Sequence, residues 1–245
     1  MTRYVAASLF PTMMRFRFLN ILMDLIAPRP CIICGWRLDE DEQFLCVACN
    51  TQLPRTGFAA VAEDNEMARL FYGRIPIERC AALFFYRPQS NTSHLIHKLK
   101  YEHQPEIGTL LGRMTAREFI KNDFFEDIDL IIPVPITRDR CRQRGYNQAS
   151  LIAQGVHEVT GIPVDETVVV RENFTSSQTD KHRLERMDNV ENAFRTLDTS
   201  SCEGRHILLV DDVVTTGATI VSCAQEIVRH ANVKVSVLAL AFTKN

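Results

Sequence analysis

The sequence lacks any run that approaches the roughly 18 uninterrupted apolar residues of a membrane-spanning helix, so no integral membrane segment is expected. It lacks an excess of one charge: 28 basic against 30 acidic residues give a net charge of -2. No global field marks a nucleic-acid binder, and any basic surface must be local. Internal repeats and low-complexity tracts are absent, which excludes solenoids and biased arrays. The short apolar start suits at most a weak signal peptide, and it is broken by Arg15 and Arg17 without a clean cleavage site.

What remains is ordinary globular composition, with 46% hydrophobic and 24% charged residues. A length of 245 residues suits one α/β domain with a small appendage. Residues 1–30 read as a leader in which 14–27 (MRFRFLNILMDLIA) form an amphipathic helix stopped by Pro28 and Pro30. Such a helix suits packing on its own protein, with membrane-surface docking as the alternative. Met13 and Met14 are alternative starts, which would place 1–12 outside the folded chain.

Eight cysteines are many for a chain without an export signal. A reducing cytoplasmic setting is the expectation, and a disulfide scaffold is not. Four of them stand as C-x2-C-x11-C-x2-C at Cys31, Cys34, Cys46 and Cys49. That spacing closes a four-thiolate site on two short knuckles, so a structural Zn²⁺ in a ribbon over 31–55 is expected. Four ordinary buried cysteines, a redox pair and an iron–sulfur cluster are the alternatives. Residues 56–78 read as a poorly periodic connector.

From residue 79 strands and helices alternate. Expected strands are 80–86, 128–134, 166–170, 206–212 and 233–242; expected helices are about 90–103, 105–122, 145–160 and 217–230. This predicts a largely parallel sheet with helices on both faces and a ligand site at the carboxyl ends of its strands. Three segments fall at such ends. In LLVDDVVTTGAT (208–219) an apolar strand runs into Asp211 and Asp212, then a Thr/Gly loop, then a helix. Amides at a helix start cradle phosphate. Thr215, Thr216 and Thr219 add hydroxyls, Gly217 permits the turn, and the carboxylates suit ribose hydroxyls or a hydrated Mg²⁺. The alternative is a solvated turn carrying two surface aspartates.

In DLIIPVPITRDRCRQRGYNQA (129–149) a strand ending in Pro133-Val134-Pro135 is followed by Arg138, Arg140, Arg142 and Arg144. Arginine forks match phosphate oxygens, although basic turns are often only solvated. No aromatic residues cluster beside these arginines as a base-stacking platform would need. RENFTSSQTDKHRLERMDNVENAF (171–194) is polar and suits a flexible hood, with Lys181, His182, Arg183 and Arg186 as phosphate contacts; a solvated face is the equal alternative. Lys98 and Lys100 in HLIHKLKYEH (94–103) suit either the outer face of a helix or a polar rim to the pocket.

The 208–219 segment resembles the phosphoribosyl pyrophosphate (PRPP) motif of type I phosphoribosyltransferases. The resemblance implies that Asp211 and Asp212, the candidate catalytic pair, contact the ribose hydroxyls of PRPP. It implies that Val213, Val214, Thr215, Thr216, Gly217, Ala218 and Thr219 wrap its 5′-phosphate. By the same resemblance Pro135, Ile136, Thr137 and Arg138, with Arg144, hold pyrophosphate. Hypoxanthine and guanine enzymes place an acid where Thr215 stands, which argues against a 6-oxopurine substrate. The whole series, CxxCG and CxxC, LKY, PVPITRDRCRQRGYNQA, SSQT with ERMDNVENAF, and DDVVTTGAT, resembles the ComF family (the ComFC/GntX-like group) across 15–243. That implies a type I phosphoribosyltransferase-like domain over 79–245 and a role in natural competence. The implied partners are PRPP with Mg²⁺, single-stranded DNA, and a competence helicase or recombination mediator. If the chain is an enzyme, it is a Mg²⁺-dependent phosphoribosyltransferase whose acceptor the sequence does not name. A non-catalytic DNA- or helicase-binding module and a PRPP-sensing regulator are the competing readings.

Overall fold

The computed structural model describes residues 29–172 and 193–244. The leader helix over 14–27 and the hood residues Lys181, His182, Arg183 and Arg186 lie outside the described residues. The chain divides into two compact units, 1–53 and 54–245.

In the first unit, two cysteine-bearing turns face each other. The turn from Cys31 closes through the Gly35 amide, which donates to the Cys31 carbonyl at 2.8 Å. Gly35 has φ +73°, where a side chain would strain the turn. Ile32 N–H donates to the Phe44 carbonyl at 2.9 Å, which ties the first turn to the approach of the second. The second turn runs into the short helix α1 (Val47–Gln52), whose first turn is capped by the Cys46 side chain accepting from the Cys49 amide.

The second unit is built on a four-stranded parallel sheet. The chain runs β1 (Cys80–Tyr86), α2 (Asn91–Tyr101), α3 (Glu106–Phe119), β2 (Leu130–Pro133), α4 (Arg138–Arg144), α5 (Gln148–Thr160), β3 (Val169–Arg171), β4 (Phe194–Thr196), β5 (His206–Val214), α6 (Ala218–His230) and β6 (Lys234–Thr243). Strand order in the main sheet is β1-β6-β5-β2. The α/β class, a parallel sheet with flanking helices, is the one the alternating pattern predicts. Residues 207–210 and 235–242 are buried throughout, so β5 and β6 are covered on both faces, as continuous apolar runs require. Each such aliphatic side chain contributes about 1.5–3 kcal/mol by leaving water.

Helix α2 starts on a reciprocal capping box between Ser90 and Ser93. Helices α3 and α5 pack closely because glycines line the seam: a Cβ on Gly112 would meet the Ile152 carbonyl oxygen at 2.2 Å, and one on Gly155 the Thr109 oxygen at 2.1 Å. Glycine costs helix propensity, and here that cost is exchanged for backbone contact. Helix α5 in turn packs on β2 and β5.

Three local expectations are corrected. The arginines after β2 form the helix α4 rather than a loop: Thr137 caps its start and Gly145, at φ 83°, ends it. The helix expected at 145–160 therefore begins at Gln148, with the Asn147 side chain accepting from the Ala149 amide. The strand expected at 166–170 falls at Val169–Arg171 and pairs antiparallel with β4 in a separate two-stranded sheet. β4 was not anticipated: at three residues it is too short to show alternation. The 56–78 segment belongs to the second unit, with 3-10 turns at Phe58–Val61 and Ala68–Phe71. Buried Asn65 organises it by accepting from the Met67 and Ala68 amides and donating to the Val61 and Cys80 carbonyls.

Candidate functional site

β5 and β2 are neighbours in the sheet, so the segments leaving their carboxyl ends stand side by side. Between them is a cleft of about 130 Å³. Asp211, Asp212, Val213 and Thr219 line it from the β5 side, and Pro135, Ile136, Arg140 and Arg144 from the β2 side. Lys100 and Arg171 complete the charged lining. The geometry follows from the sheet: in open α/β sheets, ligands sit beyond the carboxyl ends of the strands.

The acidic pair is half-buried and internally organised. The Asp212 amide donates to Asp211 Oδ1 at 2.8 Å, and Lys100 Nζ reaches Asp212 Oδ2 at 2.9 Å. Burial, followed by the neighbouring Asp212 charge, pushes the Asp211 carboxyl from 3.8 up to about 7. Arg171, at the end of β3, is lowered from its ordinary value by burial, then by the like charge of Arg140. Its guanidinium stacks on the Phe194 ring, 5.2 Å from the centroid.

The Thr-Gly loop is held from beneath. Gly217 is buried at φ 72° and caps α6, and a Cβ there would meet Phe71 Cε1 at 3.0 Å. Gly217 offers no side-chain cap; the Ala218 amide donates to Thr216 Oγ1 at 3.4 Å, so Thr216 stands at the helix start, where an anion would also be favoured. Arg74 Nη1 donates to the Thr216 carbonyl at 3.0 Å. On the opposite wall, Arg144 is fixed by Gln148 Oε1 at 2.7 Å and lies over the Tyr101 ring. Asn147 Nδ2 donates to the Val134 carbonyl at 3.1 Å.

Of the residues named from sequence, Asp211, Asp212, Val213, Thr219, Pro135, Ile136 and Arg144 line one cleft. Val214 and Gly217 are buried, Ala218 is half-buried, and Thr215 and Thr216 are exposed beside it. Thr137 spends its hydroxyl capping α4, and Arg138 is exposed on that helix. Arg171, Gln148, Arg74 and Phe71 were not singled out. Arg171 is the one with a sequence signal, since it is the charged end of an apolar strand. Gln148 acts locally, four residues after Arg144, while Arg74 and Phe71 depend on chain crossings that no local pattern carries.

In the first unit, the four sulfurs of Cys31, Cys34, Cys46 and Cys49 lie within 4.8 Å of one another, and Cys34 Sγ is 3.8 Å from Cys46 Sγ. Tetrahedral Zn–S bonds of about 2.3 Å place sulfurs about 3.8 Å apart, so the cluster is compatible with a structural zinc. Backbone amides also point at sulfur: Cys46 N–H to Cys31 and Cys49 N–H to Cys46, each at 3.4 Å. Cys80, Cys141, Cys202 and Cys223 do not join the cluster. Among the described residues, no helix is long and apolar enough to cross a membrane.

No family model matches the chain. Curated relatives do. The DNA utilization protein YhgH of Shigella flexneri is 30% identical over 229 residues, covering 89% of this chain and 99% of the relative. Competence protein F of Haemophilus influenzae is 33% identical over 132 residues, 52% of this chain and 58% of that one. ComFC of Bacillus subtilis is 35% identical over 91 residues, 37% of this chain and 35% of its own length. The chain belongs to the ComF family. Solved structures with a similar arrangement include a glutamine PRPP amidotransferase from B. subtilis, with 18% identity, 58% of this chain, 30% of that chain and a TM-score of 0.38. Another is adenine phosphoribosyltransferase of Saccharomyces cerevisiae, with 15% identity, 53% and 65% coverage and a TM-score of 0.32. At those scores the structures carry no argument about the site.

Proposed function

We propose that this ComF-family protein binds PRPP with Mg²⁺ in the cleft between β5 and β2, and serves DNA uptake or utilization. The observation that supports this most is the convergence of one acidic pair, four cations and Thr219 from the first turn of α6 on a single cleft. Asp211 and Asp212 would accept from vicinal ribose hydroxyls. Thr219 and the first amides of α6 take the 5′-phosphate, and Arg144, Arg140 and the amides after Pro135 take the diphosphate. Asp211 and Asp212 would offer hard oxygen ligands to a Mg²⁺, which would supply charge screening for the diphosphate. Binding would favour the ionised pair and draw the proton from Asp211. With an acceptor present, such a cleft supports phosphoribosyl transfer by positioning charge and excluding water.

A second reading rests on α4. No residue of that helix is buried, and Arg138, Arg140 and Arg142 are exposed along it. Such a surface suits the phosphates of single-stranded DNA, with the cleft acting as a PRPP sensor rather than a catalytic site. The relatives named for DNA utilization and competence fit both readings.

Titrating the protein with PRPP in Mg²⁺ tests the central reading. Saturable one-to-one binding is the expected result, and an absence of heat and of thermal stabilisation removes it. A screen of bases and amines for pyrophosphate release then divides enzyme from sensor.

A further inference from the structure

The two lysines in the last turn of α2 have different fates. Lys98 pairs with Glu102 one turn on, at 2.7 Å. Lys100 turns into the cleft and pairs with Asp212 at 2.9 Å, its side chain 22% exposed. The half-buried side chain puts its ammonium among the residues of the acidic pair.

The same stretch of α2 is tied to the opposite wall. Tyr146, just beyond α4, donates its hydroxyl to the Leu99 carbonyl at 2.9 Å. The Arg144 guanidinium lies 5.5 Å from the centre of the Tyr101 ring. Residues 99 to 101 therefore connect the arginine wall to the carboxylate wall, with Lys100 at the junction. The charged lining comprises Lys100, Arg140, Arg144 and Arg171 against Asp211 and Asp212, an excess of two positive charges when both aspartates are ionised. The cations outnumber what the carboxylates can neutralise, so the cleft is suited to a polyanion.

We infer that Lys100 is an exchanging cation: it neutralises Asp212 in the empty cleft, and moves to a diphosphate oxygen when a metal–diphosphate ligand takes over that carboxylate. This rests on the proposed PRPP reading and adds a residue and a step to it. Three rotatable donors on a flexible stem suit such a transfer, which the fixed fork of Arg144 cannot make.

The consequence is a pair of opposite effects. In Lys100→Met, Mg²⁺ alone should bind more tightly than in the wild type, because Asp212 has lost its competitor. Inorganic pyrophosphate in saturating Mg²⁺ should bind about tenfold more weakly, the order expected for one charge-assisted hydrogen bond. A lysine acting only as a counter-ion would make both ligands bind more tightly, and that result overturns the inference. Differential lysine labelling of the wild type needs no substitution. Lys100 should stay protected when Mg²⁺ and pyrophosphate are added, because it passes from one anion to another; increased labelling contradicts the exchange even where Lys100→Met fails to fold. If the wild type binds neither pyrophosphate nor PRPP, the proposed function falls and takes this inference with it. If the wild type binds and Lys100→Met binds pyrophosphate equally well, only the inference falls.

Discussion

The two compact units hold themselves together by different means. Residues 54–245 bury an extended apolar sheet, with Leu208, Leu209, Val237, Leu238 and Leu240 fully inaccessible. The described part of the other unit, residues 29–53, contains two turns, one six-residue helix and a four-sulfur cluster. A stretch of that length on its own buries little surface against its ordering entropy, which is where a cross-link contributes most. The difference sets a unit built on a buried sheet against one built around a four-sulfur cluster compatible with a structural zinc.

The largest expected effect breaks this contrast at its metal side. Cys31→Ser, or a strong chelator, should release about one Zn²⁺ per chain and make residues 29–53 sensitive to protease, because in such sites metal binding free energy is folding free energy. The sheet unit should keep its thermal transition. Metal analysis of chelator-free protein that finds no zinc removes the claim.

On the core side, Gly112→Ala drives a methyl group to 2.2 Å from the Ile152 carbonyl oxygen. Overpacking of this kind costs about 1–3 kcal/mol or more. A drop of several degrees in Tm with retained zinc is expected, and an unchanged Tm shows that the α3–α5 seam yields easily.

A smaller effect concerns Asp211. Its folded pKa, about 7, lies above the ordinary 3.8, so the folded state binds the proton more tightly than the unfolded state. Stability contributed by this group is complete below about pH 3.8 and is lost as pH rises through 7. Asp211→Asn should therefore gain stability over the wild type above pH 7, on the order of 1–3 kcal/mol, and gain little near pH 4. An equal gain at both pH values points to packing instead. PRPP affinity of the wild type should weaken as pH falls below 7, since binding favours the ionised pair.

The sequence made the site's chemistry legible where it sits on one continuous segment. The apolar strand, the two aspartates and the Thr-Gly turn of 208–219 are local, and so is the cysteine spacing. Arginines 138 to 144 were visible as charge but not as a helix, because four arginines in seven residues give no apolar period. Of the two lysines offered as a polar rim, Lys100 does line the cleft; Arg171 reaches it from a separate element, and Arg74 steadies the Thr216 carbonyl from a segment with little periodicity. Those placements follow from strand order and loop crossings, which single-sequence periodicity does not encode.

The central claim is that the acidic pair serves a ligand rather than the fold. The most direct measurement compares PRPP affinity and Tm in the wild type and in Asp211→Asn with Asp212→Asn. Losing charge-assisted hydrogen bonds to ribose hydroxyls or Mg²⁺, each worth roughly 1.5–3 kcal/mol, should weaken binding at least about tenfold while Tm holds or rises. A double variant that unfolds, while its remaining folded fraction binds PRPP at wild-type strength, would contradict the account.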